Sequence, residues 1–285
     1  MSRYGMAINI SRCTGCYNCF AACKDEYWGN DYLPYSAAQP KFDHFWMNIL
    51  KNERGVHPYT KVAYMPLLCM HCAEAPCVKA ARDQAVYKRP DGIVIIDPQR
   101  AIGQKQLLSR KACPYGVIYW NEEKQLPQKC TFCTHRIENG KTPRCVQACP
   151  SGALVFGDLE DPGSEVSKLL KSSNAAVSHP EWKTGPAIFY SDLHKMTQYF
   201  VAGAVVFGDT DECARGVTIT LISAGTAAET TSNSYGNFEF DGLDSGKYLL
   251  KLEYPGYAAR TIRVNLKNDK CFPAIILART PPSPC

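Results

Sequence analysis

Twelve of the fifteen cysteines in this 285-residue chain lie between Cys13 and Cys149, most of them two, three or four residues from the next. Cys13, Cys16, Cys19 and Cys23 are spaced C-x2-C-x2-C-x3-C. Cys69, Cys72 and Cys77 stand in CMHCAEAPC, Cys113 opens CPYG, and Cys130, Cys133, Cys145 and Cys149 close the series ahead of Pro150. Thiols crowded in this way suit a metal better than a disulfide framework. A tetrahedral zinc site is complete with two separated pairs, so a third cysteine three residues further on has no role there. In C-x2-C-x2-C, by contrast, one turn of chain offers three thiolates to three irons of a cubane. The fourth cysteine is turned away and ligates the neighbouring cluster. The chemistry this predicts is one-electron transfer through 4Fe–4S clusters. No nucleophile–base constellation, phosphate-binding glycine loop or pterin site is found, so no active site is expected on this chain.

The exchange of fourth cysteines makes the ligand sets predictable. Cys13, Cys16, Cys19 and Cys149 form one set, and Cys23, Cys130, Cys133 and Cys145 a second. Nested between them in sequence, Cys69, Cys72, Cys77 and Cys113 form a third. The reciprocal of the third would need a cysteine at position 81 and three more after Asp97-Pro98, where the chain has Ala81, Ala101, Gln104 and Leu107. None of these ligates iron, and all four places are affected together, so a whole cubane is missing and three 4Fe–4S clusters are expected. His71 reads as a packing or hydrogen-bonding neighbour, because its cluster already has four thiolates. Cys213, Cys271 and Cys285 lack metal spacing and read as ordinary thiols; a Cys213–Cys271 disulfide is conceivable, but labile clusters favour a reducing compartment.

Residues 1–198 carry a net charge of +6 and residues 199–285 one of −1. An oxidised tetrathiolate cubane carries roughly −2, so three of them balance the basic excess of the first part without an anionic ligand. The overall charge of +5 is too mild and scattered for nucleic acid. No apolar run approaches the ~18 residues of a spanning helix, and MSRYGMAINISRC has no apolar leader segment. A soluble, cytoplasmic chain without membrane contact is expected.

The elements that must position these thiols are short. GMAINI (5–10) reads as a strand leading into the first motif, GIVIID (92–97) and ALVFGD (153–158) as further strands, and DPGSEVSKLL as a helix start. Residues 27–64, aromatic and irregular in period, read as a loop excursion that is either a satellite core or a docking surface for a partner. Residues 172–198 read as a polar tether. From residue 199 the runs VAGAVVFG, VTITLIS, YGNFEF, GKYLLKLE, RTIRVNL and FPAIILA are separated by Gly, Asp, Asn and Ser turns, which is the pattern of an all-β sandwich. The fold class is α+β: two nested ferredoxin-like cluster-binding units over residues 1–198, with the inner pair at roughly 66–125 and the tether at roughly 160–198, then a β-sandwich over 199–285.

CMHC..APC, DGIVIIDP, CPYG and C.QACPSGALVFGDLEDP, in this order and with this nested pairing, resemble the iron–sulfur subunits of the dimethyl-sulfoxide-reductase family of molybdenum enzymes. The missing cubane, HFWMNI, KCTFC, TPRC and the appended β domain resemble the branch that hydroxylates or transhydroxylates polyhydroxylated benzenes, and the β domain itself is similar to carboxypeptidase-regulatory or prealbumin-like sandwiches. The resemblance implies a heterodimer with a large catalytic subunit that holds molybdenum on two molybdopterin guanine dinucleotides and binds the substrate, this chain being its non-catalytic electron-transfer partner. Two other readings are a wiring subunit of a respiratory reductase of the same family and an assembly module whose clusters staple the fold. In four-cluster relatives the cubanes form a row. If the missing one is third, the cluster of Cys69, Cys72, Cys77 and Cys113 is stranded beyond a gap and chiefly structural.

Overall fold

Met6, Ala7 and Ile8 are apolar in succession and fully buried, because the strand Tyr4–Asn9 is covered on both faces and paired on both edges. It pairs antiparallel with Leu154–Asp158 and parallel with Ile188–Ser191, forming the central three-stranded sheet of the first unit. The computed structural model describes residues 2–281, so Cys285 lies outside the described residues. Two units result: Met1–Lys51 with Ala63–Leu193, and Asn52–Val62 with His194–Cys285.

In the first unit, short helices carry cysteines from three of the motifs. Asn18–Tyr27 carries Cys19 and Cys23, Pro76–Ala80 carries Cys77 with proline in its first turn, and Arg144–Gln147 carries Cys145. Two small hairpins, Val86–Lys88 with Val94–Ile96 and Tyr119–Asn121 with Leu126–Gln128, brace the region between them. Left-handed backbone recurs inside the motifs at Gly15 (φ +67°), Tyr17, His71, Phe132 and Cys133. Such conformations are costly for residues other than glycine, and here they coil the chain around the thiols. At Gly15 a Cβ would come within 2.6 Å of the Tyr64 ring.

Two expectations are corrected in this unit. Residues 47–68 form a β-hairpin of two ten-residue strands, Met47–Val56 and Tyr59–Leu68, rather than an irregular excursion. Its burial does not alternate, which hides the strand period. The stretch read as a tether is built into the unit: Ile188–Ser191 is a sheet strand, Tyr190 is fully buried and donates to the Pro66 carbonyl (3.0 Å), and the carbonyls of Gly185 and Thr184 accept from the N–H groups of Ala73 and Glu74.

The second unit is a sandwich. One sheet has the order Asn237–Leu243, Tyr199–Phe207, Lys270–Leu277; the other runs Thr226–Thr231, Thr218–Ser223, Gly246–Glu253, Arg260–Leu266. Val201, Val205, Ile219, Leu221, Leu250, Leu252 and Leu266 fill the space between them. The hairpin tip Asn52–Val62 belongs to this unit. Arg54 is buried with Asp241 (3.5 Å) and Asp269 (3.9 Å), Lys61 pairs with Glu239 and Asp241 (2.7 Å to the latter), and both cations lie over the Phe200 ring. Cys213 is exposed and Cys271 half-buried, each as a free thiol, so the conceivable disulfide is not formed. No helix among the described residues is long and apolar enough to cross a membrane.

Candidate metal centres

The structure gathers the twelve thiols into three groups. In the first, burial pushes the Cys19 thiol up to about 12, with the charges of Cys13, Cys149 and Cys16 adding to the effect. Burial also raises Cys13, and Cys149 and Cys16 add to it. Cys149 is penalised by burial too, yet it ends below the usual thiol range because Ser151 and the N–H groups of Leu154, Ala153 and Ser151 favour its thiolate. The Ala153 N–H donates to its sulfur at 3.3 Å. Cys16 is the exposed member.

In the second group, burial drives Cys23 well above the ordinary range, reinforced by Cys130 and Cys133. It does the same to Cys145, reinforced by Cys133, Cys23, Cys130 and Cys19. The Phe132 N–H donates to Cys130 Sγ (3.4 Å) and the Arg144 N–H to Cys133 Sγ (3.5 Å). In the third, burial raises Cys72 to about 12 and Cys77 to about 11; Cys69 and Cys113 add to both. Cys69, Cys72, Cys77 and Cys113 line one cavity.

Four thiols in one desolvated pocket can ionise together only if something cationic is bound among them, and metal binding is what displaces their protons. Among the described residues, no three His, Cys, Asp or Glu side chains close around a single-ion position. In the third group the thiols surround a space, as ligands of a group several atoms across must. Two buried groups with incomplete partners fit an anionic sulfur-rich occupant. Lys129, 2% exposed, lines the third pocket, donates to the carbonyls of Val94 and Cys130 (3.1 Å to the latter), and is in none of the ion pairs among the described residues. His71 accepts from the Val94 N–H on Nδ1 (3.1 Å), stacks on Phe132 (3.8 Å between centroids), and has no partner for Nε2. Burial, then Lys129, holds its pKa well below the usual range, so the ring is neutral with its proton on Nε2.

The groups form an unbroken row. Cys19 contributes to the field at Cys145 and Cys23, linking the first to the second, and Cys69 contributes to the field at Cys130, linking the second to the third. No gap separates the third group from the others, and the expectation of a stranded cluster is corrected. The fourth place is filled with protein. Ala101 and Leu107 are fully buried; Gln104 accepts from the Arg82 N–H (2.9 Å) and donates to the carbonyls of Arg82 and Arg100 (3.0 Å each). Sequence reasoning missed Lys129, whose only signal was a cation beside a ligand.

A ferredoxin-type unit whose buried thiols gather in three groups, one of them around a cavity, defines an electron-transfer iron–sulfur protein. The chain belongs to the family of iron–sulfur subunits of molybdenum enzymes of the dimethyl-sulfoxide-reductase type. Residues 60–159 match the 4Fe-4S dicluster domain and residues 201–271 the carboxypeptidase regulatory-like domain. The chain is 40% identical over 262 residues to the pyrogallol hydroxytransferase small subunit of Pelobacter acidigallici, covering 90% of this chain and 92% of that one. It is 33% identical to the arsenate respiratory reductase iron–sulfur subunit of Shewanella sp. (66% and 95%) and 36% identical to a tetrathionate reductase subunit of Salmonella typhimurium (67% and 73%). It is thus an electron-transfer iron–sulfur subunit of the kind found in molybdenum oxidoreductases.

Proposed function

We propose that the chain holds three 4Fe–4S clusters, on Cys13, Cys16, Cys19 and Cys149, on Cys23, Cys130, Cys133 and Cys145, and on Cys69, Cys72, Cys77 and Cys113. In this reading it serves a cytoplasmic hydroxylase or transhydroxylase acting on polyhydroxylated benzenes, whose partner carries molybdenum on two molybdopterin guanine dinucleotides. The observation that carries the substrate class is coverage: the 90% match to the pyrogallol hydroxytransferase small subunit extends into the β domain, whereas the arsenate and tetrathionate reductase subunits match about two thirds of the chain.

When bound, the clusters supply one-electron storage and transfer. The chain's own residues keep water from them by burying nine of the twelve thiols, direct N–H groups at Cys130, Cys133 and Cys149, and leave Cys16 at the surface. The first group is therefore the end that meets the catalytic subunit. Beside it an aromatic patch is available for docking, from Tyr17 through Phe20 to Phe45.

The test is to co-purify the complex and measure iron, zinc, molybdenum and activity. About twelve irons per copy of this chain, molybdenum in the large subunit and turnover of pyrogallol-type substrates are expected. Sixteen irons, or zinc in their place, would sink the cluster assignment. Turnover of arsenate or sulfur oxyanions instead of phenols would reassign the complex to respiration.

A further inference from the structure

Lys129 is a buried cation at the joint between the second and third thiol groups. On one side it lines the pocket of Cys69, Cys72, Cys77 and Cys113; on the other it is bonded through the chain to Cys130, and its ammonium reaches the Cys130 carbonyl. The lysine pairs with no carboxylate among the described residues, and its two neutral acceptors, the Val94 and Cys130 carbonyls, leave its charge uncompensated. A buried ammonium without a counter-charge is strongly unfavourable, and the available counter-charge is a bound tetrathiolate cluster, which becomes more negative on reduction. A fixed positive charge beside such a cluster stabilises the reduced form more than the oxidised one.

We propose that Lys129 is a potential-setting residue, raising the reduction potentials of the clusters on both sides of it, foremost the one held by Cys69, Cys72, Cys77 and Cys113. The same charge also acts on the neighbouring cluster of Cys23, Cys130, Cys133 and Cys145. The inference rests on the three-cluster reading. Lys129 is a positioning residue for electrons and ligates nothing.

The experiment is a redox titration of the whole complex followed by electron paramagnetic resonance, comparing the native chain with Lys129→Gln, Lys129→Met and Lys129→Arg. The signal of the first cluster is assigned by its loss in Cys16→Ala. In a neutral variant that keeps its iron, the ratio of reduced to oxidised third cluster at fixed potential is expected to fall at least tenfold, a shift of about 59 mV for one electron. The first cluster should move least, and Lys129→Arg should restore most of the change. A smaller shift at the third cluster, or one no larger than at the first, overturns the proposal. If neither neutral variant keeps its iron, Lys129→Arg decides: recovery of iron and potentials supports a requirement for charge, and no recovery refutes it. A native complex with no reducible cubane signals would refute the three-cluster reading itself, a different outcome from unshifted potentials in loaded variants.

Discussion

Cys19, Cys72 and Cys77 hold their protons to pH values of about 12, 12 and 11 because burial and neighbouring thiols penalise the charged form. In the unfolded chain the same thiols ionise near 9. The metal-free fold therefore has its full contribution from these groups below pH 9 and loses it as the pH rises from 9 towards 12, since the unfolded state then releases protons the folded state keeps. Urea unfolding of the metal-free chain at about pH 8 and about pH 10.5 should show lower stability at the higher value, and a flat or rising profile would contradict the burial argument. Cluster uptake has the opposite sign, because ligation needs thiolates. Replacing the exposed Cys16 by alanine should lower the iron content by about a third while leaving the other two clusters in place; an unchanged iron analysis would remove Cys16 from the ligand set. The gathering of these thiols was legible because cubane spacing is local along the chain. Lys129 and the free Nε2 of His71 were not, since a residue next to a ligand faces inward or outward only once distant segments such as Val94 are packed on it.

Elements that alternate cleanly were legible, and those whose pattern is set by partners were not. Ile219 and Leu221 face inward from Thr218–Ser223 as their spacing implies, but Thr226–Thr231 is an edge strand exposed along nearly its whole length and offers no apolar alternation. The hairpin 47–68 hides for another reason: Arg54, a residue that reads as solvent-facing, is buried by Asp241 and Asp269. Arg54→Ala would leave Asp269 without its buried cation and Asp241 with Lys61 alone, so the second unit should lose up to about 3 kcal/mol, the low end for a broken buried pair, read as a lower melting temperature of that unit with cluster absorbance retained. A change below about 0.5 kcal/mol, the range of ordinary surface substitutions, would place the pair among solvated contacts. In the first motif, Gly15→Ala sets a methyl group against the Tyr64 ring at a left-handed residue. Selective loss of the first cluster's iron and signal is expected, and normal loading would show that the turn can relax.

At the scale of the whole chain, the two-part organisation was legible from the change in composition near residue 199, but the allocation of Asn52–Val62 to the second unit was not, because it depends on contacts between residues far apart in sequence, such as Lys61 with Glu239. A chain ended after Leu193 keeps Lys61 and Arg54 without Glu239, Asp241 and Asp269. It should aggregate more than the full chain, and replacing residues 52–62 by a short turn should restore solubility; equal solubility of the two truncated forms would speak against it. The link between the second and third thiol groups was likewise beyond the sequence, because it joins Cys69 and Cys130 across 61 residues of chain. The packed residue Gln104 also limits what this part of the chain can hold. Its amide joins Arg82 to Arg100 and accepts from Gln106, so a cysteine at that one position forfeits four hydrogen bonds. A thiol introduced there alone breaks this network before it has anything to bind, and the packing itself resists a further ligand set.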